Sequence, residues 1–80
     1  MIPSYDPEKL NKSVKLANQV ANWTVGAMIS YACERESSET VWNWTIAELG
    51  NYVYDKFVEE LMEMSDHVLN RLLEQHKEGN

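Results

Sequence analysis

The sequence predicts an all-α fold in which two long antiparallel helices, over residues 7–34 and 45–77, are joined by a short helical or irregular connection. Three observations predict this class. Apolar side chains recur at helical spacing in both segments, residues 34–40 between them contain no apolar side chain, and each segment begins with residues that commonly cap helices.

Size and composition favour a folded chain with a small core. Its 80 residues are predicted to form one domain over 1–80, with an N-terminal arm at 1–6 and a frayed C-terminus at 78–80. So short a chain buries a smaller share of its surface than a larger domain does, and its core is marginal without a partner chain. The hydrophobic content of 44% argues against disorder despite a net charge of −6.

The first helix has a clear start and a wide apolar surface. Asp6 is a good N-cap residue, Pro7 suits the first helical position, and Glu8 complements the positive end of the helix dipole. From Pro7 to about Glu34 the apolar residues cover roughly 200° of the helix, about twice the stripe needed for one neighbour. They are Leu10, Val14, Leu16, Ala17, Val20, Ala21, Trp23, Val25, Ala27, Met28, Tyr31 and Ala32. We therefore expect this helix to contact at least two others.

The start of the second helix follows from the phase of its apolar residues. An unbroken helix would place Asn43 in the middle of the apolar face, so we expect a break or a short separate turn across residues 41–44. Thr45 and Glu48 then fit a capping box, in which each side chain satisfies an otherwise unpaired backbone N–H of the first turn. The long helix should begin at Thr45 and end near Lys77.

The second helix also carries most of the negative charge. Residues 34–80 hold eleven acidic against four basic residues, whereas residues 1–33 hold two acidic against three basic ones. Five of the acids fall on the side opposite the apolar residues, and Glu74 continues the same side toward the C-terminus. We call these five the acidic face: Glu48, Asp55, Glu59, Glu63 and Asp66.

Apolar surface is left over after the two helices pair. We expect two copies to associate into a homodimeric four-helix bundle, because an exposed patch of this size would promote aggregation. The alternative is a monomer in which residues 41–44 and the C-terminal turns fold back over the patch. The expected core or dimer residues are Val20, Trp23, Ala27, Met28, Tyr31, Phe57, Leu61, Met64, Val68 and Leu72.

A short internal similarity relates the two halves. Residues 20–31 match residues 41–52 at an offset of 21 positions, with an identical Asn-Trp-Thr core. One interpretation places Trp23 and Trp44 in equivalent sites. The other is chance in a biased composition, because a single 12-residue match is short for a repeat.

One acidic motif resembles a metal-binding sequence. Glu59-Glu60-Leu61-Met62-Glu63 is similar to the EExxE motif of the all-α nucleotide pyrophosphatases, whose carboxylates hold hydrated divalent ions. That resemblance implies a second ExxD motif on a later helix, but Glu74 is followed three positions on by Lys77. We therefore interpret the run as solvated charge and rank a metal-dependent nucleotide hydrolase third among the functions.

The sequence supports neither a ferritin-like metal site nor a catalytic cysteine. Glu63 and His67 lack the inward carboxylates that a ferritin-like metal site needs from the first helix, and Cys33 has no base near it in sequence. We therefore predict a protein that is not an enzyme and that has no metal site and no cofactor. The acidic face would repel nucleic acid, no apolar run is long enough for a membrane span, and a single cysteine with no apparent signal peptide suggests a cytoplasmic location.

Two candidate contact surfaces lead to the functional hypothesis. They are the acidic face and an aromatic group at the connection, formed by Trp42, Trp44 and Tyr52 with Tyr54 beside them. Carboxylates on successive turns imitate a row of phosphates and could occupy a basic groove. In size and charge the chain is similar to small acidic inhibitors encoded by phages, anti-CRISPR proteins among them. We expect an inhibitor or regulatory accessory that docks on a larger cytosolic protein. The alternatives are a solubilising acidic face with core aromatics, or a purely structural homodimer.

Overall fold

Helices form nearly the whole of the fold. The computed structural model describes the backbone of residues 6–78 and the side chains of residues 6–75, and it contains no β-strand within that range. Five α-helices and one 3-10 helix follow one another: α1 (Pro7–Ala17), the 3-10 helix (Asn18–Asn22), α2 (Val25–Cys33), α3 (Ser38–Trp42), α4 (Ile46–Met62) and α5 (Asp66–Glu78). The all-α class is confirmed. Apart from Asp6, the predicted N-terminal arm lies outside the described residues, as do residues 79–80 of the predicted frayed end.

The first predicted helix is not continuous. Its start is as predicted, since the Asp6 side chain accepts a hydrogen bond of 3.0 Å from the Glu8 backbone N–H and Pro7 opens α1. The helix then tightens into the 3-10 segment and ends at Trp23, whose backbone is extended. The Thr24 hydroxyl accepts a hydrogen bond of 3.0 Å from the Ala27 N–H and caps a new helix, α2. The cap supplies a partner for a first-turn N–H that a continuous helix would have bonded internally.

The second predicted helix is also interrupted, although its start is confirmed. α4 begins after Thr45 with both hydrogen bonds of the capping box, 2.8 Å from Thr45 N to Glu48 Oε1 and 3.1 Å from Glu48 N to Thr45 Oγ1. The predicted helix is then interrupted, because a new helix, α5, begins after Ser65. The Ser65 hydroxyl caps α5 by accepting a hydrogen bond of 3.3 Å from the Val68 N–H. The chain therefore turns between Met62 and Asp66.

The Asn-Trp-Thr similarity corresponds to a repeated local structure. In each copy a helix ends beside the asparagine and the threonine caps the next helix. In each copy the tryptophan also contacts the tyrosine eight positions later, with ring centroids 5.5 Å apart for Trp23 and Tyr31 and 4.8 Å apart for Trp44 and Tyr52. The two tryptophans thus occupy locally equivalent positions.

α4 is the central helix of the packing. It packs against α1, α2 and the 3-10 helix, while α5 packs on α1 and α3 packs on α2. Two groups of buried side chains result. The first core contains Val20, Ala32, Val41, Leu49 and Val53, and the second core contains Leu16, Ala17, Leu61 and Leu69. Phe57 packs against both cores and links them.

The molecule is flat and exposes much surface for its mass. Its extents are 41 × 36 × 18 Å and its radius of gyration is 13.9 Å, against about 12 Å for a compact domain of this length. The accessible surface is 5778 Å², whereas a monomer of this mass exposes about 5000 Å². A thickness of 18 Å accommodates no more than two layers of helices.

Candidate protein-binding surface

The junction between α3 and α4 presents two large apolar side chains to solvent. The Ser37 hydroxyl caps α3 by accepting a hydrogen bond of 3.2 Å from Thr40 N, and the Asn43 side chain donates a hydrogen bond of 2.9 Å to the carbonyl oxygen of Glu39. The first bond fixes the start of α3 and the second fixes its end. Trp42, its last residue, is 68% exposed, and Ile46, the first residue of α4, is 62% exposed.

The other aromatic residues of the predicted group are held within the fold. Trp44 and Tyr52 are half-buried and their rings pack at 41° to each other. The Tyr52 hydroxyl donates a hydrogen bond of 3.0 Å to Glu36 Oε2 in the connection after α2. Burial, followed by this hydrogen bond, raises the pKa of Tyr52 above its ordinary value. The structure therefore separates Trp42, which is exposed, from Trp44 and Tyr52, which tie the connection to α4.

All five members of the acidic face are exposed. Glu48 also serves in the capping box, and Glu59 lies 3.6 Å from the ammonium nitrogen of Lys56. Because the chain turns after Met62, the acidic face spans two elements: Asp66 belongs to the first turn of α5, and the other four residues lie on α4 or at its end.

Glu60 has a role that the sequence did not indicate. Its carboxylate accepts hydrogen bonds of 2.6 Å from Arg35 Nε and 2.6 Å from the Tyr31 hydroxyl, and a third of 3.1 Å from Arg35 Nη2. Arg35 also donates a hydrogen bond of 2.8 Å to the Tyr31 carbonyl oxygen, and its guanidinium carbon lies 3.5 Å from the centroid of the Tyr31 ring. This network joins the end of α2 to α4.

The network shifts the pKa values of Glu60, Arg35 and Tyr31. The hydrogen bond from Arg35 is the main reason that the pKa of Glu60 lies below its ordinary value, and partial burial opposes it. The same bond is the main reason that the pKa of Arg35 is raised. Burial, followed by the hydrogen bond to Glu60, raises the pKa of Tyr31. Both charges are therefore kept on a half-buried ion pair at neutral pH.

The predicted core and dimer residues divide into three groups. Val20 and Leu61 are buried, and Ala27 and Val68 are exposed in the single chain. The remaining six are half-buried: Trp23, Met28, Tyr31, Phe57, Met64 and Leu72. Trp23, Tyr31 and Phe57 contact one another through their rings at centroid distances of 5.4 to 6.2 Å.

An open groove lies between the 3-10 helix, α2 and α4. Its volume is about 300 Å³. It is lined by Asn18, Val20, Ala21, Met28, Gly50, Asn51 and Tyr54, none of which is charged. Gly50 and Asn51 had no predicted role in binding; the sequence feature that could have pointed to the groove is a glycine in the interior of a predicted helix.

Over the described residues, the side chains form no group of three or more His, Cys, Asp or Glu that could hold a metal ion. Glu60 is turned into its ion pair with Arg35, apart from the other glutamates of the EExxE sequence. Cys33 is a free thiol that packs against the first core. No helix in the described part of the chain is both long and apolar enough to cross a bilayer.

Comparisons with protein-family models, with curated proteins and with solved structures found no match to this chain.

Proposed function

We propose that the chain is a protein-binding accessory or inhibitor that inserts Trp42 into a pocket of a larger protein and holds it against a basic surface with its acidic face. The observation that carries the proposal is the 68% exposure of Trp42 at the end of a well-capped helix. An exposed tryptophan costs free energy in water and supplies large contact area on binding, and tryptophan is enriched among the residues that dominate binding energy.

The charge distribution indicates the chemistry of the partner. Glu39 and Glu48 are exposed and lie three residues before and six residues after Trp42 in the chain, and the acidic face continues along α4. A partner with a positively charged groove, such as a nucleic-acid-binding protein, would be attracted at long range and oriented by this field. The proposed role is regulatory and requires no catalytic group on this chain. The cytoplasmic location predicted from the sequence remains part of the proposal.

The test compares Trp42→Ala with Val25→Ala in affinity capture from host extract. Val25 is a matched control because it is also an exposed apolar residue, at 44%, in a different part of the chain. We expect a protein that the wild type and Val25→Ala retain and that Trp42→Ala loses, with at least tenfold weaker binding. Capture of the same proteins by all three would contradict the role of Trp42.

The acidic face is tested separately. Changing Glu59, Glu63 and Asp66 to lysine should weaken binding of the captured partner and flatten its dependence on salt, because the long-range attraction is lost. Unchanged affinity and unchanged salt dependence would show that the acidic face only keeps the chain in solution.

A second candidate is a structural homodimer, which the accessible surface favours. Besides Trp42, three large apolar side chains are at least 40% exposed over the described residues, Val25, Ile46 and Val68, and association of two copies would remove such side chains from water. Sedimentation equilibrium at micromolar concentration tests this candidate directly: a dimer supports it, and a monomer removes it.

A further inference from the structure

We infer that the chain is built from two copies of one structural unit, residues 20–35 and 41–56, which pack on each other around a pseudo-two-fold axis. Each unit contains the end of a short helix, a threonine cap and the first turns of the next helix. Three structural observations extend the sequence similarity of residues 20–31 and 41–52: the backbone at the caps, the burial of equivalent residues and the reciprocal packing of the helices.

The backbone is nearly the same at the two caps. Thr24 has φ −72° and ψ 158°, and Thr45 has φ −73° and ψ 166°. The Thr24 hydroxyl accepts a hydrogen bond of 3.0 Å from the Ala27 N–H, and the Thr45 hydroxyl accepts one of 3.1 Å from the Glu48 N–H. Donor and acceptor thus occupy equivalent positions in the two units. The identical Asn-Trp-Thr sequence accounts for this agreement, which is local.

The burial of equivalent residues agrees well beyond the caps. Over the two units, equivalent residues are buried, half-buried or exposed alike at every position except one, which is half-buried in the first unit and buried in the second. Val20 and Val41 are both buried in the first core. So are Ala32 and Val53, which differ in sequence and lie past the end of the similarity. The agreement therefore reflects position in the fold and not only shared sequence.

The helices of the two units pack reciprocally. α2 packs on α4, the 3-10 helix before the first cap packs on α4, and α3 before the second cap packs on α2. The tyrosine hydroxyls are also reciprocal: Tyr31 donates a hydrogen bond of 2.6 Å to Glu60 of α4, and Tyr52 donates one of 3.0 Å to Glu36, which follows α2. A two-fold axis produces reciprocal contacts of this kind, whereas an end-to-end repeat uses different surfaces on the two units.

The two-fold relation also accounts for the open groove. Two small residues line it, Ala21 and Gly50, and their counterparts in the other unit are Trp42 and Ile29. Ile29 packs against the first core, whereas a Cβ atom built on Gly50 meets no atom within 4 Å. The groove therefore lies where the two units differ in side-chain size.

The same comparison separates the proposed partner contact from the rest of the surface. Trp42 and Ile46 have Ala21 and Val25 as counterparts, and all four residues are exposed. The two units thus present equivalent positions to solvent but fill them with side chains of different size. The exposed tryptophan that we propose as the anchor is specific to the second unit.

The test exchanges equivalent core residues and measures the thermal midpoint by circular dichroism. Val53→Ala alone should lower the midpoint by about 10 °C, because it leaves a cavity in the first core. Adding Ala32→Val places the same two side chains in each other's positions, and a core with two-fold symmetry accepts this exchange because the two positions have equivalent surroundings. We expect the double variant to return to within about 4 °C of the wild type.

The double variant with Ala32→Val and Val41→Ala is the matched control, because Val41 is also a buried valine of the first core but is not the counterpart of Ala32. Val41→Ala alone should also lower the midpoint by about 10 °C, and adding Ala32→Val should not restore it. A midpoint of the exchange variant above that of the control supports the two-fold relation. A midpoint at or below that of the control would overturn it, including the case in which neither variant folds.

Discussion

The role of Glu60 in the fold differs from the role that the sequence predicted for it. In the sequence it belongs to an acidic run with metal-binding spacing, and its only distinguishing sign is that it points away from Glu59 and Glu63. In the fold it accepts three hydrogen bonds from Tyr31 and Arg35, which lie 29 and 25 positions earlier. Periodicity reports which side of a helix a residue occupies, but it does not report which distant element packs on that side. This pairing could not be predicted from the sequence.

The Glu60 ion pair predicts a pH dependence of stability. Because the folded state lowers the pKa of Glu60 from its ordinary value of 4.5, its contribution is present above that value and is lost as the pH falls through the folded pKa. We expect Glu60→Gln to lower the free energy of unfolding by about 1–2 kcal/mol at pH 7, with the difference from wild type shrinking between pH 5 and pH 3.

Urea denaturation at each pH measures this difference. Glu59→Gln is the matched control, because Glu59 is exposed and its carboxylate lies 3.6 Å from the ammonium nitrogen of Lys56, which is also partly exposed. It should change the free energy of unfolding by less than about 0.5 kcal/mol. A gap between wild type and Glu60→Gln that stays constant down to pH 3 would show that the carboxylate charge does not stabilise the fold.

At the scale of elements, helix starts that carry a full capping signal could be predicted. Thr45 with Glu48 gave the start of α4, and Asp6 with Pro7 gave the start of α1. The interruptions at Thr24 and Ser65 were missed because each lies inside an apolar pattern whose phase continues across it. The identical Asn-Trp-Thr at 43–45, where a break was expected, was the available signal for the break at Thr24.

The hydrogen bond at the Thr24 cap should contribute to the stability of the fold. Thr24→Ala should lower the free energy of unfolding by about 1 kcal/mol, because the Ala27 N–H loses its side-chain acceptor. Thr24 is exposed, so no packing is lost with the side chain. Urea denaturation should show a lower midpoint with an unchanged slope, and hydrogen exchange should speed up at the first amides of α2.

Thr24→Ser is the control for this cap. It keeps the hydroxyl and should retain most of the wild-type stability. If the serine and alanine variants were equally unstable, the methyl group rather than the hydrogen bond would be responsible for the stability at this position.

At the scale of the whole molecule, two cores share one central helix. Trp23 and Trp44 pack against the first core, whereas α5 contributes Leu69 to the second. Phe57 is the side chain that contacts both, and its ring also packs on Trp23 with centroids 5.4 Å apart. Because Phe57 packs against both cores, we expect the cooperativity of unfolding to depend on this residue.

Phe57→Ala should therefore make the two cores unfold in separate transitions, whereas in the wild type they unfold together. Tryptophan fluorescence follows the environment of the first core, and far-ultraviolet circular dichroism follows all helices. In the wild type the two unfolding curves should superimpose, as two-state unfolding requires. In Phe57→Ala, which should lower the free energy of unfolding by about 3 kcal/mol, the curves should diverge because the cores lose their common contact.

Phe57→Leu is the control, because it keeps an apolar side chain between the cores. We expect it to lower the free energy of unfolding by about 1 kcal/mol while the curves still coincide. Superimposed curves in a folded Phe57→Ala variant would mean that α4 itself, rather than this side chain, couples the two cores.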